Sequence, residues 1–371
     1  MSAVSYDEFG PFKIIKIHEP SVGLRGTLVV DNVARGPAIG GTRMAPDVST
    51  EECFRLARAM TLKNAAADLP HGGGKSIIYG DPAMPRQQKE PIIRAFACAL
   101  AEVDQYIFGP DMGTDEECMG WIRDEIGRAV GLPREIGGIP LDEIGATGWG
   151  LLHAIEVACK HQGRELAGAR IAVQGFGAVG KHVARFLAER DAIIVAVADI
   201  TGTVANSDGL DIGKLITNKA DGLSVDKYQG QPGTTTGTSE SIIDVPCDIW
   251  IPAARPDVIR ADNVDRLQAS LVVSGANIAV TAEAENLLHR RGVLSIPDFI
   301  ANAGGVICAA MEYQGATEHA AFETIEEKIR NNTQTVLELT EQRGCLPSEA
   351  ATDMAMQRVH KAMDMRRWSV F

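Results

Sequence analysis

The chain has 371 residues, 45% of them hydrophobic and 23% charged, an ordinary globular composition with length enough for two domains. Its formal net charge is −13 and no Lys/Arg-rich block stands out, which argues against nucleic acid or an anionic membrane surface as a partner. No run of about 18 uncharged apolar residues occurs, and the N-terminal stretch carries early acids without a long apolar core, so neither a membrane span nor a signal peptide is expected. Seven cysteines lie far apart, at 53, 98, 118, 159, 247, 308 and 345, with no Cys-x-x-Cys pair. That pattern predicts a reduced cytosolic setting, mostly buried thiols and no structural zinc.

In chain order, Phe12-Lys-Ile-Ile-Lys-Ile and Thr27-Leu-Val-Val read as strands between Gly and Pro signals. A helix follows, with Ser49 and Glu52 at capping-box spacing and Thr50 as an alternative N-cap. Leu56, Met60, Lys63 and Ala67 then recur on one face. A lysine in such a stripe either snorkels to the surface or has a function. Next comes Leu69-Pro-His-Gly-Gly-Gly-Lys-Ser-Ile-Ile. It ends as a phosphate-binding P-loop does, but the glycine that begins that motif is replaced by Leu69.

From about residue 145 the texture changes. Gly145-Ala-Thr-Gly-Trp-Gly leads into a helix over 151–161. A buried strand over 169–174, a glycine turn, a helix over 181–188 and a second strand over 193–199 follow. Further buried strands are expected at Asp248-Ile-Trp-Ile and Leu271-Val-Val-Ser, and charged helices in the tail from about 320. Alternating strands and helices imply a parallel sheet with helices on both faces. The turn reads Gly175-Phe176-Gly177-Ala178-Val179-Gly180, between strand and helix, and Asp199 ends the next strand. In that context the glycines form a dinucleotide fingerprint. Gly175 permits the tight turn, Gly177 lets backbone approach a pyrophosphate and Gly180 lets helix and strand pack closely. Asp199 would accept a ribose diol and repel a 2′-phosphate, and Ile200, Thr201 and Gly202 bring no arginine. NAD is therefore favoured over NADP.

These blocks together resemble the glutamate/leucine/phenylalanine/valine dehydrogenase family. The blocks are Gly40-Gly-Thr-Arg-Met, Met60-Thr-Leu-Lys-Asn-Ala, the Leu69 to Lys75 run, Gly109-Pro-Asp-Met-Gly-Thr, Ala146-Thr-Gly-Trp-Gly, the glycine fingerprint, Gly275-Ala-Asn and Pro297-Asp-Phe-Ile-Ala-Asn-Ala-Gly-Gly. They stand in the family's order over roughly residues 25 to 315. The resemblance implies reversible oxidative deamination of an L-amino acid to a 2-oxo acid. It also implies an α/β fold of two domains with a cleft between them, the second a Rossmann-type parallel sheet. The expected division is 1–143 with the returning tail 326–371 for substrate and oligomerisation, and 144–325 for the dinucleotide. A homo-oligomer is expected.

By position, Lys63 matches the lysine that holds the substrate carboxylate and Lys75 the catalytic lysine. Asp111 matches the catalytic aspartate, although it also suits a turn or helix N-cap. The glycines before Lys75 are expected to give space for substrate and backbone to approach, and burial among them to disfavour its charged form, with Lys63 acting in the same direction. Thr147, Ala253 and Asn277 match cofactor positions, and Gly40, Gly41 and Asn302 substrate positions. Thr147 also suits a helix cap, and the two asparagines suit turns. Where glutamate-specific relatives carry a lysine and a serine, this chain has Ile39 and Ala309. With Met60 these make an apolar wall. A second carboxylate there would lose hydration without a partner, whereas an apolar side chain gains about 25 cal/mol per Å² buried. The substrate is therefore expected to be an apolar amino acid of the leucine, valine or phenylalanine type. Gly109-Pro-Asp-Met-Gly-Thr and Ala146-Thr-Gly-Trp-Gly lean toward the glutamate branch instead, and Gly275-Ala-Asn-Ile-Ala-Val-Thr departs from both.

Overall fold

The computed structural model describes residues 6–365. The described residues form two units: 6–141, 306–321 and 352–365, and 142–305 and 322–351.

The first unit opens with β1 (Lys13–Glu19), β2 (Leu24–Asn32), β3 (Ala38–Ala45), α1 (Thr50–Ala66), β4 (Gly72–Tyr79), α2 (Arg86–Ala99), β5 (Tyr106–Pro110) and α3 (Glu116–Ile126). Its sheet has the order β1-β2-β4-β3-β5. The β1/β2 and β2/β4 pairs are antiparallel, and β3 is parallel to both β4 and β5. Strand alternation divides its side chains between two faces. Leu28, Val30, Met44, Ile78, Tyr106 and Phe108 form a core with Ile93, Phe96, Met119 and Ile122 of α2 and α3. Val29 and Ile77, on the other face, pack on Cys53 and Ala57 of α1.

The triple glycine lies in β4, in the interior of this sheet, and not in a pocket loop. A Cβ at Gly72 would stand 1.9 Å from the Asn32 carbonyl oxygen, at Gly73 1.9 Å from Thr61 N, and at Gly74 2.9 Å from the Tyr106 ring. Those glycines let neighbouring backbone and an aromatic ring close in on the strand. Close approach of backbone, one part of what these glycines are expected to allow, is found at Gly72 and Gly73.

Ser49 is the N-cap of α1, its hydroxyl accepting Glu52 N at 3.1 Å. The helix buries Cys53, Ala57, Thr61 and Asn64, whereas Leu56, Met60 and Lys63 are half-buried. The expected stripe is thus the flank of the helix. The core face is made of smaller residues, because Gly73 brings the Thr61 backbone hard against the sheet. Asn64 Nδ2 donates to Gly72 O at 2.7 Å and Ile39 O at 3.2 Å, pinning the end of α1 to β4 and β3.

The chain continues through α4 (Leu141–Ile144), α5 (Ala146–His161), β6 (Arg170–Gln174), α6 (Ala178–Ala188), β7 (Ile193–Ala198), β8 (Thr203–Ala205), α7 (Ile212–Ala220), β9 (Thr235–Gly237), β10 (Ile249–Pro252), β11 (Leu271–Val273), α8 (Ala282–Arg290), β12 (Leu294–Ile296) and α9 (Asp298–Ala301). The second sheet has the order β12-β11-β10-β6-β7-β8-β9, parallel from β12 to β7. The β7/β8 and β8/β9 pairs are antiparallel, an extension that the alternating texture does not foretell. Helix α5 begins at Ala146 and not at Leu151, so Gly148 and Gly150 are helical. A Cβ at Gly148 would meet Val183 N of α6 at 2.8 Å, which explains a glycine despite its low helix propensity.

Three helices end the described chain: α10 (Gly304–Tyr313), α11 (Glu318–Arg343) and α12 (Pro347–Met365). Residues 322–351 belong to the second unit, although the tail from 326 was expected in the first. The reason is a set of polar bonds to α5. Trp149 Nε1 donates to Phe322 O at 3.2 Å, Arg330 bonds Glu156, and the buried His153 lies between Glu156 at 3.0 Å and Glu326 at 3.6 Å.

Candidate active site

On the α1 side of the first sheet, Lys75 is only 7% exposed. Its Nζ bonds directly to Asp111 Oδ2. The Asp111 carboxylate follows β5, and its Oδ1 accepts the Met112 N–H at 2.7 Å. Gly41 supplies the space for this pairing. A Cβ there would stand 2.8 Å from Asp111 Cβ and 3.0 Å from Lys75 Nζ. Gly40 turns to the opposite face, where a Cβ would strike the Gly74 carbonyl oxygen at 1.8 Å. Of the two glycines expected beside substrate, only Gly41 stands on the face of Lys75.

Asp111 does not cap a helix. Asp115 is the N-cap of α3, accepting Cys118 N at 2.9 Å. Burial pushes the Asp111 pKa up, but the Lys75 ammonium, then the Arg43 guanidinium and the Met112 N–H, outweigh it and hold the carboxyl below its ordinary value. Arg43 is a site residue that the sequence reading leaves unassigned, although it sits in the quoted Gly40 block. Its Nε lies 3.4 Å from Asp111 Oδ2 and its Nη1 2.5 Å from Glu52 Oε1. The spacing of charged residues carries no signal for it, because the contact runs from β3 to the turn after β5.

Lys63 lies in the last turn of α1, half-buried, as is Met60 one turn earlier. Ile39 and Ala309 are buried apolar residues of the same unit. Asn302 is in the second unit, where its Nδ2 donates to Asn277 Oδ1 at 2.9 Å and to Gly275 O at 3.2 Å.

Within the second unit a cavity of 690 Å³ opens at the ends of the parallel strands. Gly175, Phe176, Gly177, Ala178, Val179, Asp199, Ile200 and Ala253 all line it. Gly175 has φ 98°, a left-handed conformation, and a Cβ there would meet Ala253 O at 2.7 Å. Gly177 has no atom within 4 Å of its absent Cβ, and Gly180 would meet Gly175 O at 1.7 Å. Gly177 is also the N-cap of α6 and makes no side-chain cap bond, so the first N–H groups of that helix need a partner. An anion of the pyrophosphate type fits that end. Thr147, Gly180 and Asn277 are not among the lining residues: Thr147 is in the first turn of α5, which is capped by Gly145.

Asp199 is more constrained than its position in sequence suggests. Oδ2 accepts Lys219 Nζ at 2.8 Å and Val225 N at 3.1 Å, and Oδ1 accepts Thr201 N at 2.8 Å and its hydroxyl at 2.5 Å. Burial raises its pKa, but the bonds from Lys219 and Thr201 bring it down to about 2. Lys219, Arg255, Arg260 and Arg266 add positive charge to the cavity wall. They come from segments outside the fingerprint, so the motif gives no hint of them.

Two family models cover nearly the whole chain. The Glu/Leu/Phe/Val dehydrogenase dimerisation domain matches residues 13–128, and the Glutamate/Leucine/Phenylalanine/Valine dehydrogenase domain matches residues 137–367. The chain belongs to the glutamate/leucine/phenylalanine/valine dehydrogenase family. It is similar to a glutamate dehydrogenase of Aeropyrum pernix, at 37% identity over 91% of this chain and 85% of the relative. In structure it resembles the hetero-hexameric glutamate dehydrogenase from Thermus thermophilus in a Leu-bound form (TM-score 0.84, 30% identity, 97% of this chain and 91% of that one). It also resembles L-tryptophan dehydrogenase from Nostoc punctiforme (TM-score 0.75, 25% identity, 96% and 98%). Family membership makes the chain an oxidoreductase of the amino acid dehydrogenase class, acting on a CH–NH2 group with a nicotinamide dinucleotide. Among the described residues no helix is long and apolar enough to cross a membrane.

Proposed function

We propose that this family member catalyses the reversible, NAD-linked oxidative deamination of an apolar L-amino acid to its 2-oxo acid and ammonia. The observation that carries the reading is the buried Lys75–Asp111 ion pair on the sheet face opened by Gly41. When bound, the nicotinamide ring accepts the hydride from the substrate Cα. The residues of the chain do the rest. Lys63 holds the α-carboxylate as a counter-ion. Asp111 takes a proton from the α-ammonium, since a nitrogen without a lone pair cannot support loss of hydride from the adjacent carbon. Once Asp111 is protonated Lys75 loses its counter-ion and gives up its own proton to solvent, and as the free amine it takes a proton from the water that adds to the resulting imine. The C–N bond breaks as the nitrogen regains a proton, releasing ammonia. Gly175, Gly177 and the open end of α6 would hold the pyrophosphate, with Asn277 and Asn302 beside the nicotinamide and substrate.

The apolar substrate is supported by Ile39 and Ala309, which are buried and carry no charge. Arg43, on the face of Lys75, is already engaged by Glu52 and Asp111. A second reading, glutamate, is favoured by the 37% identity to a protein named for that substrate. An activity panel of L-leucine, L-valine, L-phenylalanine, L-tryptophan and L-glutamate separates the two. Higher kcat/KM for an apolar substrate is expected, and a preference for glutamate overturns the pocket argument. A purely regulatory NAD-binding role predicts no turnover with any of them.

For the cofactor, the Asp199 charge supports NAD, because a 2′-phosphate beside a carboxylate is repelled. Lys219, bonded to that carboxylate, works the other way and favours NADP as an alternative. Lys219→Ala should lower NADP-linked kcat/KM more than NAD-linked kcat/KM, and equal losses would remove Lys219 from cofactor choice. A homo-oligomer is expected, and light scattering on the purified protein measures it.

A further inference from the structure

We propose that Arg43, gripped by Glu52, is a positioning residue that fixes the Asp111 carboxylate independently of Lys75. The inference rests on the reading of Asp111 as the group that exchanges a proton with the substrate amine.

Arg43 pairs with Ile77 in register, which puts it on the sheet face of Lys75. Asp111 Oδ2 therefore meets two cations, Lys75 directly and Arg43 Nε at 3.4 Å, while Oδ1 is held by the Met112 N–H. The two cations differ in kind. A lysine that takes up and releases a proton stops being a counter-ion for part of each cycle, whereas a guanidinium keeps its charge throughout. Arg43 supplies the constant part of the field at Asp111.

Glu52 gives an independent sign that Arg43 is held on purpose. It is the third helical residue of α1, and its N–H is capped by Ser49. In a full capping box its carboxylate would return to the Ser49 N–H. It bonds Arg43 Nη1 at 2.5 Å instead. The helix thus forgoes half of a local cap to clamp an arginine that points at the catalytic carboxylate.

Cys53 and Tyr106, which sit among these groups, do not compete. Cys53 is pushed up to about 12 by burial, and burial also raises the Tyr106 phenol well above its ordinary value. Neither acquires charge near neutrality. Removing Arg43 takes away one of the charges that oppose the burial of Asp111, so its carboxyl should titrate at higher pH.

The test compares pH profiles of kcat and kcat/KM, with the best substrate of the panel, for wild type, Arg43→Gln, Arg43→Lys, Glu52→Gln and Asp111→Asn. Arg43→Gln should move the acid limb of kcat/KM upward by about one pH unit and lower kcat at neutral pH about tenfold. KM should stay within about threefold, because Arg43 is assigned no contact with substrate. Arg43→Lys should restore most of the limb position, and Glu52→Gln should move it in the same direction by less. Asp111→Asn should lose turnover while binding the dinucleotide normally. A folded Arg43→Gln enzyme with the wild-type limb overturns this inference and leaves the role of Asp111 standing. Wild-type turnover in Asp111→Asn overturns the role of Asp111 and this inference with it. If Arg43→Gln does not fold, Glu52→Gln decides alone, and an unmoved limb counts against the proposal.

Discussion

Lys75 is charged chemistry placed where charge is expensive. An unpaired buried ion costs several kcal/mol, and the bond to Asp111 offsets that cost. The two single removals should therefore differ. Asp111→Ala strands Lys75 beside Arg43 and should cost about 3 kcal/mol or more of stability in urea melts. Lys75→Met removes the more deeply buried charge and leaves Asp111 with Arg43, so it should cost less. Equal losses would mean that Lys75 is not a buried ion in solution. Gly73 gives a second residue-level test. An alanine there places a carbon 1.9 Å from Thr61 N. Overpacking of that kind should cost about 1–3 kcal/mol, and a wild-type melting curve would contradict the close approach of α1 to β4.

Among the elements, the loop after α3 depends on a carboxylate from a distant part of the chain. Glu312 of α10 accepts Ile139 N at 2.7 Å and Leu132 N at 3.2 Å. Glu312→Ala leaves two partly buried N–H groups without that partner, each costing about 1–3 kcal/mol, and the denaturation midpoint should fall clearly. An unchanged midpoint would show that water replaces the carboxylate. Elements with a strong local pattern were legible in the sequence: β6, β7, β10 and β11 as apolar runs, and α6 from the fingerprint. The start of α1 was legible as well, since Ser49 is its cap. What failed to show was set by long-range packing. A triple glycine has low strand propensity, and β4 is held as a strand by its pairing with β2 on one side and β3 on the other. The short strands β8 and β9 exist by antiparallel pairing back from β7 and offer too few residues for a period. The contact of Arg43 with Asp111 was invisible for a like reason, since a contact from β3 to the turn after β5 leaves no mark on sequence spacing.

At the scale of the whole molecule, several acids share one pH dependence. Asp7, Asp111, Glu156 and Asp199 are all held below their ordinary values, Asp199 at about 2. A depressed carboxyl adds stability above its unfolded pKa and loses it as pH falls through the folded value. Glu285 and Glu312 are raised by burial and contribute in the opposite sense, their share fading as pH rises through their folded values. The depressed group includes the ion-paired residues, so Tm should be high near neutrality and fall between about pH 4 and pH 2. A Tm that rises over that interval would contradict the ion pairs. The first unit carries Lys75 and Asp111, and the second carries the cavity lined by the glycine fingerprint. The family and its chemistry were legible because the blocks stand in order along the chain. The engagement of Asp199 by Lys219 was not, because Lys219 is 20 residues further on and reaches back only after folding. The most direct measurement uses Lys75→Ala, with single-turnover deamination and dinucleotide titration run on the same preparation. At least about a thousandfold loss of the chemical step is expected, with dinucleotide affinity unchanged. Turnover near that of wild type, or a loss explained entirely by weaker dinucleotide binding, would contradict the catalytic role of Lys75.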